Sequence, residues 1–465
     1  MVPLPSATDS GAALSTTSLP RTRSAVPAYG ACSSRSVKLP ARPARATGEA
    51  TPETRSIMSD WFERLVGFRE RDANDVRALI TAEGTDLVAP ALNQRYKAGA
   101  FTTPSLGELR NQLKARTYEK KPPTFSNVIG DAGALHGEFP GATFQVASQF
   151  NCLEFVGPSV TPEDGVTGYA WDKTQGPCCA IACGASTIYR NYFGLDGAPQ
   201  TASSQIENLR DVLTHLGPLD GRFDVRGGYT MADDAALRAL TEKVASLDEA
   251  GRDAVKALLR IGLQTDCQVT SQNWGRDQLR DTDHVVTQIF ASACSVAYSG
   301  NGSGLWKAFA SLVLEASYEA ALIASALNAL DHPDRPHASK VFLTAVGGGV
   351  FGNGLSWIAR AIEKALASVD YPLDVRLVTY APPVPRPFET LAAVAESLAE
   401  SRKRPRDEGS ALGGTNASSP AAVRAARLAA LEAAPPPAAA PPPAPADATT
   451  AAPPADATAP PPTDA

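Results

Sequence analysis

The chain has 465 residues and a formal net charge of −6, a balance that weighs against general nucleic-acid binding and leaves room for a large core or two domains. Apolar residues make up 43% of it, yet no stretch reads as a membrane span, because the Ala-rich runs are short or broken by polar residues. Seven cysteines, an odd number without scaffold spacing, argue against a disulfide framework and fit a reducing compartment.

Residues 1–55 are rich in Ser, Thr, Ala, Pro and Arg, with Arg21, Arg23, Arg35, Lys38, Arg42 and Arg45 set against Asp9 and Glu49. That composition fits an organellar transit segment, or a disordered extension ahead of a start near Met58. No charged n-region is followed by an apolar h-region, so the expected location is intracellular: cytoplasm, nucleus or an organelle. Residues 56–125 read as a helical cap, with amphipathic helices over 58–68, 75–83 and 106–117, the last capped by Thr103 or Ser105. Residues 126–398 alternate strands with helices. Strands are expected at 127–129, 143–147, 262–270, from 284, at 341–346 and at 375–380. Helices are expected at 178–193, 203–213, 234–247, 251–261, 306–330 and 356–367. The pattern implies an α/β fold, a three-layer α/β/α arrangement around a mainly parallel sheet, with a large insertion near 194–280. Residues 399–465 run through SRKRPRDEGS into Ala/Pro-rich sequence that cannot build a core and is expected to be disordered, with a transient helix at 421–434. The basic run 402–406 fits a nuclear signal or a solvated charge run.

Four segments place glycine and polar residues where strands end or helices begin. They are Gly130–Gly133, Ser148–Glu154, Tyr169–Pro177 and the loop inside VFLTAVGGGVFGNG at 341–354. In the last, Gly347, Gly348 and Gly349 would let backbone N–H groups approach a phosphate, or would simply form a tight strand-to-helix turn. Thr174, Gln175 and Gly176 stand before Pro177 at a helix start, where free N–H groups favour an anion. Cys178, Cys179 and Cys183 read as core rather than metal ligands, and no structural metal site is expected. His136 and His284 lack a Ser or Cys nucleophile partner, so an acyl-transfer triad is unsupported. No Walker sequence is found, because Gly347 to Asn353 lacks the following Lys-Ser/Thr, and no Rossmann GxGxxG opens the chain.

Together these segments resemble the macro-domain superfamily of ADP-ribose-binding proteins and ADP-ribosyl hydrolases, over roughly Ser126 to Ala381. Asn127-Val128-Ile129-Gly130-Asp131 is similar to the family's strand-Gly-Asp segment, which implies that Asp131 reads the adenine amino group. Val146–Asn151 is similar to the strand whose terminal Asn faces the distal ribose. Ala345–Asn353 resembles the phosphate loop, which implies donors from Gly348, Gly349 and Val350, a ribose-facing Phe351, and supporting roles for Gly347, Gly352 and Asn353. The combination of QFNCLE with YAWDKTQGP resembles the divergent branch typified by the Legionella effector MavL, whose relatives remove ADP-ribose from modified arginine, including on ubiquitin. In that branch acids near the distal ribose carry catalysis. Asp172, Asp164 and Glu163 are the matching set here.

The chemistry supports that assignment independently. Cleaving the C1″ glycosidic bond develops positive charge on the ribose, which a carboxylate would stabilise or use to orient water. Asp172 is the first candidate, nearest the helix start, and Asp164 and Glu163 follow. Asn151 and Gln149 would position ribose hydroxyls or water, and Glu154 would contact or brace the same segment. Tyr169 and Trp171 shelter the sugar or pack in the core. No cofactor is required, although two acids near a pyrophosphate would suit Mg2+. The expected partners are ADP-ribose and an ADP-ribosylated protein, ubiquitin among the candidates, with neither nucleic acid nor membrane, and the chain is expected to act as a monomer. A non-catalytic ADP-ribose reader is the alternative.

Overall fold

Five parallel strands carry the frame: β5 (Thr124–Ile129), β6 (Thr143–Ala147), β12 (Val285–Ala291), β13 (Lys340–Thr344) and β14 (Asp374–Thr379). They belong to a seven-stranded sheet of order β4-β9-β12-β6-β13-β14-β5, whose edge pair β4 (Ala100–Thr102) and β9 (Gly262–Gln268) runs antiparallel. The structure is a computed structural model and describes residues 61–403. The Arg-rich stretch of 1–55, the basic run beyond Lys403 and the Ala/Pro-rich tail lie outside the described residues.

Each central strand divides its side chains between two covered faces. Phe144, Val146, Val286, Phe290, Phe342 and Val378 join Cys178, Cys179 and Cys183 in one core. Ile289, Ala291, Val341, Leu343, Val375 and Leu377 pack on the other face, against the helices Ser303–Asp331 and Leu355–Ser368. Period-two alternation with both faces buried explains why these strands read as nearly continuous apolar runs. The result is a three-layer α/β/α fold.

The helix Ser303–Asp331 corrects one expectation. At 29 residues it is long and apolar enough to cross a membrane by length and composition, yet it is almost wholly buried within the fold. Its acids are paired, Glu315 with Lys364 and Glu319 with Arg110.

Residues 56–125 are not purely helical. The helices Trp61–Val66, Ala73–Leu79 and Leu106–Lys114 are separated by an antiparallel sheet of β1 (Thr81–Glu83), β2 (Asp86–Ala89) and β3 (Gln94–Lys97), followed by β4. The helix expected over 75–83 stops at Leu79, where Ile80 turns extended. Gly84 (φ +63°) and Asn93 (φ +49°) then supply the left-handed positions that tight turns need. Of the two expected caps, Ser105 is the one used, and it forms a capping box with Glu108.

The helix expected over 178–193 is broken at Cys183 (φ −109°, ψ 58°) into Gln175–Ala182 and Gly184–Tyr192. Thr270, just past β9, causes the break. Its N–H donates to Ala182 O (2.8 Å) and its Oγ1 accepts from Gly184 N–H (3.0 Å). The 194–280 stretch is likewise part of the fold, since it supplies β9 and the hairpin β7 (Phe223–Arg226)–β8 (Tyr229–Ala232). A two-residue pair, β10 (Ser271–Gln272) and β11 (Asp277–Gln278), completes the strands.

His136 is wholly buried in this frame, stacked on Phe144 at 3.7 Å. Its Nδ1–H donates to Ala132 O (2.7 Å), and Nε2 accepts from Gln288 Nε2 (3.0 Å). Both nitrogens are satisfied with the ring neutral, so His136 is a core residue and not a general base. Burial lowers its pKa from 6.5 to about 4. A depressed pKa means that the stability held by neutral His136 is full above pH 6.5 and lost as pH falls through 4, a span worth about 3 kcal/mol. Urea unfolding from pH 4 to 7.5 is expected to show His136→Gln flattening the pH slope of stability by about one proton.

Candidate functional site

The parallel strands all end on one edge, and their following loops meet there. Ligands of open α/β sheets bind at such an edge. The glycine loop after β13 is held in shape from within. Gly348 N–H donates to Ala345 O (2.9 Å), Gly352 N–H to Gly349 O (3.1 Å) and Asn353 N–H to Gly347 O (2.9 Å). Gly347 sits at φ +75°, and a Cβ there would stand 2.5 Å from Ala293 Cβ, so only glycine fits. Asn353 ties the loop to the next one, its Nδ2 donating to Cys294 O (2.7 Å).

The N–H groups of Gly349, Val350 and Phe351 have no acceptor among the described residues. Three successive open donors suit an anion. The expected set was Gly348, Gly349 and Val350. Gly348 is excluded because its N–H is spent inside the loop and its α-carbon packs toward Ile358 and Leu355. The space above Gly349 is open, with nothing within 4 Å of a Cβ built there.

Phe351 is buried in an aromatic trio, with ring centroids 5.2 Å from Tyr229 and 5.6 Å from Tyr298. The charge of Asp172 raises the phenols of both Tyr229 and Tyr298, though burial is the larger cause. Asp172 closes a five-residue 3₁₀ turn, Thr167–Trp171, and its Oδ1 accepts from Thr174 N–H (3.0 Å). Burial lifts its carboxyl above the usual range, opposed by the Thr174 hydrogen bonds and by Lys173. The helix Gln175–Ala182 starts directly after it. Thr174 is the N-cap of that helix without a side-chain cap bond. Gly176 lies so close to β6 that a Cβ would stand 2.0 Å from Ala147 O.

Glu163 and Asp164 are not brought into this group. Both carboxylate oxygens of Glu163 accept from Ala202 N–H at 2.9 Å, and Asp164 accepts from Thr161 N–H (2.7 Å) and Oγ1 (3.0 Å). They are exposed loop caps, so the expected acidic trio reduces to Asp172. The residues assigned to the ribose also have protein partners. Gln149 exchanges hydrogen bonds with the backbone of Phe155, Nε2 donating (3.1 Å) and Oε1 accepting (3.0 Å). Asn151 donates to Gln205 Oε1 (2.8 Å) and accepts from Leu153 N–H (3.0 Å). Both brace the loop after β6.

Glu154 is fully buried and pairs with Arg190 (3.2 Å), whose side chain is equally inaccessible, so it contacts no ligand. Arg190 also donates to Cys152 O (3.0 Å) and Gln264 Oε1 (3.2 Å) and stacks on Phe290 at 3.7 Å.

Asp131 caps the helix Ala132–His136 through Oδ1, accepting from Gly133 N–H (2.8 Å). Gln175 links this segment to the next helix, its Oε1 accepting from Ala132 N–H (2.9 Å). A cleft of about 400 Å³ opens beside Asp131, lined also by Glu138, Cys178 and Trp274. Trp274 holds a left-handed backbone (φ +58°), with Lys173 4.1 Å over its ring. Tyr380 follows β14 into this neighbourhood; burial chiefly, then Cys178 and Asp131, raise its phenol. Among the described residues no group of three or more His, Cys, Asp and Glu gathers to hold a metal.

The sequence reading passed over Tyr229, Tyr298 and Trp274. Gly227-Gly228 before Tyr229 was the available signal for the first. Gly228 (φ +77°) lies against Gln149 and Asn151, where a Cβ would stand 2.6 Å from Gln149 Cβ.

No protein-family profile matches the chain, and no curated protein does. Among solved structures the chain is similar to the poly(ADP-ribose) glycohydrolase of Thermomonospora curvata bound to the inhibitor ADP-HPD, at 12% identity and a TM-score of 0.36 over 74% of this chain and 99% of that one. It is also similar to the poly(ADP-ribose) glycohydrolase of Deinococcus radiodurans in complex with ADP-ribose, at 13% identity and a TM-score of 0.32 over 65% and 94%. Likenesses at this level assign neither a site nor an activity to this chain.

Breaking the buried pair strands a charge. Arg190→Met is expected to cost about 3–5 kcal/mol in urea unfolding, and Arg190→Met with Glu154→Leu much less than the two single costs added together.

Proposed function

We propose that the chain is an ADP-ribosyl hydrolase that cleaves the glycosidic bond at C1″ of a bound ADP-ribose. One observation carries this reading: the open N–H groups of 349–351 adjoin the trio of Phe351, Tyr229 and Tyr298, and Asp172 is near enough for its charge to raise both phenols. Strand order supports it. Asp131 follows β5, the glycine loop follows β13, and β14 lies between them, a separation of about 10 Å by strand spacing. Asp172 precedes the helix Gln175–Ala182, whose Gly176 lies against Ala147 at the end of β6, the strand beyond β13. A base at Asp131, a pyrophosphate on 349–351 and a distal ribose at Asp172 follow that order. The 400 Å³ cleft gives the base room beside Trp274.

In this scheme Asp172 stabilises the developing cation or orients the attacking water. The leaving group is proposed to be a protein side chain, with arginine first, because a carboxylate can hold a guanidinium by paired hydrogen bonds. Ubiquitin is the proposed protein. A single carboxylate offers Mg2+ one protein ligand, so turnover is expected to survive EDTA.

The assay is release of free ADP-ribose from arginine-, serine- and glutamate-linked substrates. Turnover on none of them would sink the proposal. Asp172→Asn is expected to lower kcat by about 10²–10⁴ while ADP-ribose binding persists in calorimetry. Because burial raises the Asp172 pKa, its ionised form is lost as pH falls through that raised value. The acid limb of kcat/KM is therefore expected above the ordinary aspartate value of about 4. Gly349→Glu places a carboxylate in open space beside the phosphate and is expected to weaken ADP-ribose binding at least about tenfold without unfolding the protein.

A non-catalytic reader is the second reading. It is favoured by the commitment of Glu163 and Asp164 to loop capping, which leaves one acid at the site. Tight binding without turnover on the three substrates would establish it.

A further inference from the structure

The turn that delivers Asp172 does not hold its own start. The 3₁₀ turn Thr167–Trp171 has no side-chain cap from its own segment. The cap comes from the N-terminal part of the chain. Glu70, in the loop between the helices Trp61–Val66 and Ala73–Leu79, accepts from Val166 N–H through Oε1 (2.9 Å) and from Thr167 N–H through Oε2 (2.5 Å). Tyr192 Oη–H donates to the same Oε1 at 2.7 Å and fixes the carboxylate from behind. Gly165 (φ +83°) makes the approach possible, since a Cβ there would stand 2.5 Å from Glu70 Cδ. Trp61 adds a second tie from the same segment, its Nε1–H donating to Thr167 O (3.2 Å).

The connection continues to the site. Within the turn, Asp172 N–H donates to Tyr169 O (3.2 Å), and Tyr169 Oη accepts from Glu154 N–H (2.8 Å). The turn is thus held at its start by Glu70, at its middle by the loop after β6, and at its end by the Asp172–Thr174 contact. A carboxylate at two successive N–H groups of a helical turn satisfies donors that would otherwise be orphaned and favours the N-terminal end of the turn's dipole.

We propose that Glu70 is a positioning residue, a clamp from the N-terminal segment that sets where the Asp172 carboxylate stands against the distal ribose. The proposal rests on the reading of Asp172 given above. Glu70 touches no reacting atom. It acts by restraining the turn, so its loss is expected in kcat and not in ligand affinity, because the phosphate and base contacts lie on β13 and β5. Displacement of a catalytic group by about 1 Å costs up to about 10²-fold in rate.

The test uses the full chain with Glu70→Ala and Glu70→Gln. Asp72→Ala serves as control, because Asp72 caps the neighbouring helix Ala73–Leu79 without touching 166–167. Glu70→Ala is expected to speed amide exchange across 166–172 by at least about tenfold, whereas Asp72→Ala leaves that segment protected. It is also expected to lower kcat at least about tenfold with KM and the ADP-ribose Kd within about twofold. Glu70→Gln retains one acceptor oxygen and is expected to fall between. Unchanged exchange in Glu70→Ala would overturn the clamp, as would a kcat no lower than that of Asp72→Ala, or an equal loss in Kd. If the unsubstituted protein releases ADP-ribose from none of the three substrates, the proposed reaction fails. The exchange measurement then still decides whether Glu70 holds the turn.

Discussion

The buried pair of Arg190 and Glu154 is the interaction on which the site's geometry depends. Burial pushes the Glu154 carboxyl up to about 7 against the pull of Arg190, so two desolvated groups are kept inside at a cost. In return, one guanidinium joins four elements. It reaches the loop after β6 through Cys152 O and Glu154, β9 through Gln264 and β12 through Phe290, from a helix that packs on the N-terminal segment. A flexible or apolar residue could fill the volume but could not hold that many partners at set angles.

Around this anchor, close backbone approach replaces side-chain chemistry at several points. Gly176 against Ala147 O, Gly347 against Ala293 and Gly228 against Asn151 each leave no room for a Cβ. These contacts bring the carboxyl ends of β6 and β13 and the 227–228 turn together tightly enough for polar side chains such as Gln149 and Asn151 to be consumed in bracing. Among the described residues, the N–H groups of 349–351 are donors at the edge that the protein itself does not use.

Much of the fold was legible. The runs that became β6, β13 and β14 were apolar enough to mark strands covered on both faces, and Thr103 and Ser105 marked a helix start. The glycine loop and Asp172 stood out because four segments with glycine and polar residues at strand or helix ends occur together, although each alone reads equally as a turn or a solvated acid. Legibility failed where one residue type serves two purposes. An Asn or Gln after a strand reads as a ligand contact, yet hydrogen-bonds equally well to the loop beside it. Glu163 and Asp164 looked like catalytic acids, but Asp164 caps the turn that Thr161 and Pro162 begin, and Glu163 caps the distant Ala202.

The sequence by itself determined the layer order, the parallel sheet and the position of the glycine loop, because hydrophobic periodicity and glycine's backbone freedom are local properties of the chain. Only the tertiary structure decided which polar groups remain free at the sheet edge and which are consumed. Hydrogen-bond satisfaction depends on partners far apart in sequence: Glu70 caps a turn near residue 167, and Tyr229 meets Phe351 from within what read as an insertion. No window along the chain contains both members of such pairs.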